Sequence, residues 1–423
     1  MYQPEPIPAH APPVAARRWG GAWRSIAPNV WFLGATSLLT DLSSEMVVSV
    51  LPLYLVMQLG FSPLAFGALD GLYNGIGALT RLVSGVAVDR WRQPKALAGV
   101  GYAVSALCRL GLLAAGPWWP GVAASIAIDR LGKGVRTVPR DALIAQSATP
   151  AQLGSAFGVH RALDAFGAVL GPVAAFALLT AVPRGFDVVF VASFFAALVG
   201  LGVLVLFVEN LAPAQPPDAP TTLAGLARPL RDAVFRRAVL ASTALAVATI
   251  SDAFVYLILL ERLGITVGAF PLLYVGTSLS YLVLAVPAGA LADRWGRWRV
   301  FLLGYTALLA VYLVLLSAAG GPLAALVAVV LLGAYYAGTD GVAAAFASGV
   351  LQPERRGTGL ALLTTSTSLA RLLASVVFGW VWVSAGRDQA VAVFATVLAA
   401  GIASAAVALV RPATRTGGSG HRD

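Results

Sequence analysis

Charge is scarce in this chain, and so are most of the residues on which soluble chemistry depends. Only 11% of its 423 residues are Asp, Glu, Lys or Arg, against roughly 25% in a soluble globular domain. Cys108 is the single cysteine, which excludes a disulfide within the chain and any metal site built from several thiolates. Three methionines and three histidines leave too few ligands for a soft-metal pathway. No Gly-rich loop runs into a lysine and a hydroxyl, the cradle that ATP phosphates require, so ATP is not expected to drive the protein. Nothing reads as an enzyme, and no cofactor or metal is implied.

Apolar sequence is abundant. Hydrophobic residues make up 58% of the chain and mean hydropathy is +0.81, which makes a lipid bilayer its solvent. Runs long enough to cross, about 20 residues each, fall near 29–57, 64–88, 96–115, 119–147, 154–180 and 187–208. A second set falls near 238–260, 267–291, 299–318, 322–350, 359–384 and 389–410. The expected fold is an all-α membrane protein of 12 transmembrane helices in two six-helix halves.

The halves repeat. A shift of 204 positions lays Leu59, Gly60, Ala65, Phe66, Leu69, Gly85, Asp89, Arg90 and Trp91 on Leu263, Gly264, Ala269, Phe270, Leu273, Gly289, Asp293, Arg294 and Trp295 without a gap. Matches that bracket one helix and its following loop imply a duplicated topology. Pro213, Pro216, Pro217, Pro220 and Pro229 mark the linker between the halves. The organisation read from the chain is a disordered tail over 1–27, a first half over 28–209, a linker over 210–237, a second half over 238–411 and a tail over 412–423. The Pro- and Ala-rich start, residues 1–16, shows no cleavable signal pattern.

Arginines sort to one side. Arg17, Arg18, Arg24, Arg90, Arg92, Lys95, Arg228, Arg231, Arg236, Arg237, Arg294, Arg297, Arg299, Arg355, Arg356, Arg411 and Arg415 share it, whereas the other side has little beyond Arg184, Arg262 and Arg387. Positive loops resist translocation, so both termini are expected in the cytoplasm, with the chain multi-pass in the cytoplasmic (inner) membrane. The formal charge of +10 is read as this topology and not as nucleic-acid binding.

Residues 289–297 read Gly-Ala-Leu-Ala-Asp-Arg-Trp-Gly-Arg, and residues 85–92 carry a worn copy with Ala87 and Arg92 in the leucine and second glycine slots. This pattern resembles the loop signature of the major facilitator superfamily, and the resemblance covers about 28–411. It implies a secondary transporter in which Asp89 and Asp293 meet helix N-termini of the other half, whose free N–H groups and dipole suit a carboxylate. Gly85, Asp89, Arg90, Gly289, Asp293, Arg294, Gly296 and Arg297 would then form a conformational latch, and breaking it would favour the inward-open state. Arg130-Leu131-Gly132-Lys133-Gly134 resembles the family motif whose arginine is linked to proton transfer. Gly167-Ala168-Val169-Leu170-Gly171-Pro172 resembles the exporter motif, although Ala175 and Phe176 replace its closing glycines. Small residues four apart equally allow close helix packing, and Pro172 suits a bend. The subtype most resembled is a drug/proton antiporter.

Ionisable residues at membrane depth are costly and mark pathways. A rise of about 1.5 Å per residue puts Asp41, Arg109, Arg130, Asp164, Asp252 and Arg371 near mid-bilayer. Asp129, Lys133, Arg136 and Arg140 share one face of the fourth span, with Arg130, Thr137 and Asp141 beside them. The proton-coupling candidates are Asp41 and Glu45, one turn apart, with Arg130, His160 and Asp164. His160 suits a relay by its ordinary titration range, although a structural hydrogen bond is the commoner fate of a lone helix histidine. The substrate-side candidates are Asp70, Asn74, Arg109, Lys133, Arg136, Arg140, Asp252, Tyr256, Tyr336 and Arg371. Hydroxyls at Tyr335, Thr339, Thr364, Thr365, Thr367 and Ser368 equally suit bridging between helices.

The expected function is alternating access driven by an ion gradient. One charge crossing 100 mV releases about 2.3 kcal/mol, enough for roughly fifty-fold accumulation. Proton-coupled export of a small amphipathic or drug-like compound is the first reading. An organic-anion transporter docking carboxylate or phosphate on Lys133, Arg136 and Arg140 is the second, and a non-transporting receptor on the same fold is a remote third. The expected partners are the lipid bilayer, a small-molecule substrate and protons. A monomer suffices, because both halves lie in one polypeptide.

Overall fold

The computed structural model describes residues 26–91, 93–149, 152–211, 228–263, 266–317, 321–351 and 356–410. The N-terminal tail up to residue 25, most of the linker and the C-terminal tail lie outside them.

The first half holds six long helices: α1 Pro28–Leu53, α2 Pro63–Trp91, α3 Pro94–Ala115, α4 Trp119–Gln146, α5 Leu153–Ala181 and α6 Phe186–Phe207. The second half holds α7 Ala233–Val247, α8 Asp252–Leu263, α9 Pro271–Trp295, α10 Arg297–Leu316, α11 Pro322–Val350, α12 Arg356–Ala385 and α13 Arg387–Val410. Proline opens α1, α3, α4 and α9, a position where its missing N–H costs nothing. Among the described residues, ten helical segments are long and apolar enough to cross a membrane. Interleaved with these, α2 and α4 run 29 and 28 residues. The described chain is therefore a multi-pass, all-helical membrane protein, and its observed helices follow the expected spans to within a few residues.

Two crossings differ from the uninterrupted runs that hydropathy suggests. After Pro52 the first becomes π-helical over Tyr54–Gln58, with Leu59 N–H donating to the Tyr54 carbonyl at 2.9 Å. The seventh, expected as continuous over 238–260, breaks at residues 248–251 between α7 and α8. It also begins inside the segment read as linker: Asp232 caps α7 by accepting from the N–H groups of Val234 and Phe235, both at 2.8 Å. Hydropathy averages over such a break, because Ala248 and Ile250 are themselves apolar.

Close helix contacts shape both halves. A Cβ on Gly167 would stand 2.3 Å from the Leu38 carbonyl oxygen, and one on Gly171 2.7 Å from that of Leu42. The resembled exporter motif thus lets α5 lie against the backbone of α1. The same device joins the halves. On α2, a Cβ at Gly67 would meet the Ser375 carbonyl oxygen at 2.3 Å, and one at Gly71 the Leu372 carbonyl oxygen at 2.8 Å, both on α12. Gly296 adopts φ +97° between α9 and α10, so the second glycine of the loop signature has a backbone reason to be glycine.

Among the described residues, aromatic contact between the halves falls at the end bearing loop 59–62 and Gly386. Phe66 of α2 meets Phe254 of α8 edge-on at 4.8 Å, and Phe254 meets Phe378 of α12 at 4.8 Å. Two of that end's few cations are paired: Arg387 with Glu261 at 3.0 Å and Arg262 with Asp388 at 3.6 Å. At the arginine-rich end Asp293 is exposed, and a Cβ on Gly289 would meet nothing within 4 Å.

Candidate functional site

The break between α7 and α8 opens into the interior of the bundle. Tyr312 of α10 holds it in shape: its hydroxyl accepts from the Ile250 N–H at 2.7 Å and donates to the Ala248 carbonyl at 3.0 Å. Both backbone groups would otherwise be orphaned in a buried place. Beyond the break lies a cavity of about 160 Å³ walled by both halves. Val48, Asp70, Tyr73 and Asn74 come from the first half, and Thr249–Ala253, Tyr274, Tyr336, Arg371 and Ser375 from the second.

Its charged groups are anchored from behind. Asp252 Oδ2 accepts from the Tyr336 hydroxyl at 2.7 Å, and Asp70 Oδ2 from the Ser375 hydroxyl at 2.6 Å. Arg371 donates through Nη2 to the Tyr335 hydroxyl at 2.9 Å, while its buried Nε has no hydrogen-bond partner among the described residues. Asn74 donates to the Asp70 carbonyl one turn back at 2.9 Å. Five of the substrate-side residues expected from sequence, Asp70, Asn74, Asp252, Tyr336 and Arg371, therefore face one cavity. Tyr256 does not join them: it is buried and donates to Thr277 at 2.7 Å, one turn behind Asp252.

The remaining substrate-side residues lie in a separate charged layer of the first half. Arg109 pairs with Asp129 at 2.6 Å and donates to Ser44 at 2.8 Å. Arg130 also pairs with Asp129, its Nε to Oδ2 distance being 3.0 Å, and its guanidinium lies 4.0 Å from the centroid of the Tyr73 ring. Arg136 stands 3.7 Å from Asp41 and 4.5 Å from the Tyr102 ring centroid. Arg140 reaches Asp141 at 2.9 Å and Asp164 at 3.9 Å, and donates to Ser37 at 3.3 Å. Ser37 in turn lies 2.8 Å from His160 Nε2. The side chains of Lys133 and Glu45 make no hydrogen bond or ion pair among the described residues.

The two layers adjoin through Tyr73, which lines the cavity on one side and receives Arg130 on the other. Sequence reasoning missed Tyr73, Tyr274, Ser375 and the unwound Thr249–Ser251. Tyr73 and Asn74 follow Asp70 at intervals of three and four, a spacing that would have placed them on its face. Towards the loop-59 end, a second, apolar cavity of about 380 Å³ is lined by Met57, Phe66, Phe254 and Trp382 among others.

Of the latch residues, Gly85, Asp89 and Arg90 lie on α2 where side chains are outside the described set. Asp293 and Arg294 are exposed.

Two helical halves thus enclose a polar cavity at a broken crossing, an architecture that suits a membrane transport protein. The chain belongs to the Major Facilitator Superfamily, whose family model matches residues 33–260 and 239–423. An uncharacterised MFS-type transporter of Methanocaldococcus jannaschii is 30% identical over 370 residues, covering 85% of this chain and 89% of that protein. An uncharacterised protein of Mycobacterium tuberculosis is 34% identical over 152 residues, 36% of each chain. Among solved structures, the nucleoside transporter NupG superimposes with a TM-score of 0.75 at 12% identity, covering 91% of this chain and 100% of that one. The peptide transporter POT in complex with sulfate gives 0.76 at 14% identity, covering 90% and 94%. At such identities these structures share the fold alone.

Proposed function

We propose that the protein is a proton-coupled secondary transporter of the cytoplasmic membrane that exports a small amphipathic or drug-like compound by alternating access. The observation that carries this reading is the polar cavity walled by both halves, with the halves in contact at the loop-59 end. With the arginine-rich side in the cytoplasm, closure at the loop-59 end supports an inward-facing conformer. Asp293, exposed here, is assigned to the latch that closes the cytoplasmic side. A single chain carries both halves, so a monomer is sufficient.

Coupling is assigned to the charged layer around Asp41, Glu45, Arg130, His160 and Asp164. Asp129 is gripped at 2.6 Å by Arg109, which suits a permanent structural pair. Asp41 and Asp164 stand off from their arginines at 3.7 and 3.9 Å, so exchanging a cation partner for a proton costs them less. The organic-anion reading is less favoured. Arg109, Arg130, Arg136 and Arg140 each have a carboxylate partner, which leaves Lys133 alone of the α4 cations for an anionic substrate.

Filling the cavity tests this proposal. Asn74→Trp in reconstituted protein is expected to abolish transport of every substrate while the protein still purifies as a folded species. Undiminished transport would overturn the assignment of the cavity.

A further inference from the structure

Resting on the reading of this cavity as the substrate site, we infer that it selects for an ammonium group, held between Asp70 and Asp252, with the substrate's carbon body against the rings of Tyr73, Tyr274 and Tyr336. The two carboxylates come from opposite halves, one on α2 and one at the first turn of α8, yet line the same space of about 160 Å³. Each is fixed through Oδ2 by a hydroxyl, from Ser375 and from Tyr336. Asp252 Oδ1 has no hydrogen-bond partner among the described residues, whereas the Asp70 carboxylate also has the Ser251 hydroxyl beside it. A carboxylate oriented by a donor on one oxygen presents the other as a charge-assisted acceptor, and an ammonium has enough N–H groups to serve two.

The charge balance of the wall points the same way. Among the described residues Arg371 is its one cation, against two acids; it donates to Tyr335 through Nη2 and keeps its Nε without a partner. With both acids ionised the lining is short of one positive charge, and an uncompensated carboxylate away from bulk water is expensive. An ammonium supplies that charge. Tyrosine faces add attraction for a cation through their ring quadrupoles and accept an apolar body as well. A neutral or anionic ligand of the same shape would leave the acids unpaired. Because the ammonium would touch both halves at once, its binding energy bears on their relative position, which a group held by one half could not achieve.

The test uses the full chain in detergent or nanodiscs, with phenethylamine as probe and phenethyl alcohol and phenylacetate as neutral and anionic counterparts. Equilibrium binding is measured for all three on the unaltered protein and on Asp70→Asn and Asp252→Asn, with thermal melting to confirm folding. Saturable binding of the amine alone, weakened about tenfold or more by each substitution, is the expected result. Amine binding unchanged in both variants, or no amine binding, would overturn the ammonium site. Saturable binding of the alcohol or the carboxylate that is lost in Asn74→Trp would also overturn it, yet would leave the cavity as the substrate site. Binding of any probe that survives Asn74→Trp would instead count against the cavity reading itself. If either Asp→Asn variant fails to fold, Asp70→Glu and Asp252→Glu replace it, with amine selectivity expected to persist in both.

Discussion

The Tyr312 hydroxyl accepts from the Ile250 N–H at 2.7 Å, bracing the one place where the seventh crossing abandons helical geometry. Ile250 is fully buried, and its N–H is satisfied by that acceptor. Tyr312→Phe keeps the ring and removes the oxygen. It should destabilise the protein by about 1–3 kcal/mol, the cost of an unsatisfied buried donor, read as a lower melting temperature in detergent. An unchanged melting temperature would mean that the break does not depend on Tyr312.

Asp129 is shared by Arg109 and Arg130, with Arg109 at 2.6 Å and both arginines largely buried. Asp129→Asn leaves two guanidinium groups without their counter-charge. Removing one partner of a buried pair costs about 3–5 kcal/mol, so poor expression or a sharply lowered melting temperature is expected. Asp41→Asn, which relieves a contact of 3.7 Å, should melt closer to the unaltered protein. Equal losses in the two variants would contradict the division into structural and coupling carboxylates.

Asp41→Asn and Glu45→Gln should each abolish the response of transport to an imposed pH gradient while the protein remains folded. Substrate exchange without a gradient should persist, because neither residue lines the central cavity. Normal pH-driven transport in both single variants would discard the proton site on α1.

The latch can be probed from the far end of the bundle. In a Cys108→Ala background, Phe66→Cys introduces a thiol at a position only 2% exposed while the loop-59 end is closed. Adding Asp293→Asn should shift the population toward the inward-facing state and slow labelling of that thiol by a membrane-impermeant reagent. An unchanged labelling rate would count against a latch role for Asp293.

How much of this was legible in the sequence depends on the scale of the feature. The bilayer solvent and the two-fold repeat follow from residue counts and from pairs such as Asp89 and Asp293, because both are properties of long stretches. The charged layer was partly legible too: the spacing of Asp129, Lys133, Arg136 and Arg140 puts them on one face, but not which acid meets which arginine. Pairs such as Arg109 with Asp129, or Asp70 with Ser375, join residues on different helices, and no local pattern encodes them. The break at residues 248–251 is not legible locally, because the hydroxyl that bonds its backbone belongs to Tyr312, some sixty residues later. Gly67 and Gly71 lie four apart on α2, but nothing local to them says that α12 is the helix they meet.

Uphill movement of a cation against protons tests the account most directly. Proteoliposomes holding an internal pH dye would be given an acidic interior and challenged from outside with cationic, neutral and anionic compounds. Protein-free vesicles and vesicles carrying Asp252→Asn would report passive permeation. The account predicts that cationic amphipaths alkalinise the interior beyond both controls, as protons leave in exchange. A response confined to anions, or one equal to that of the controls, would contradict it.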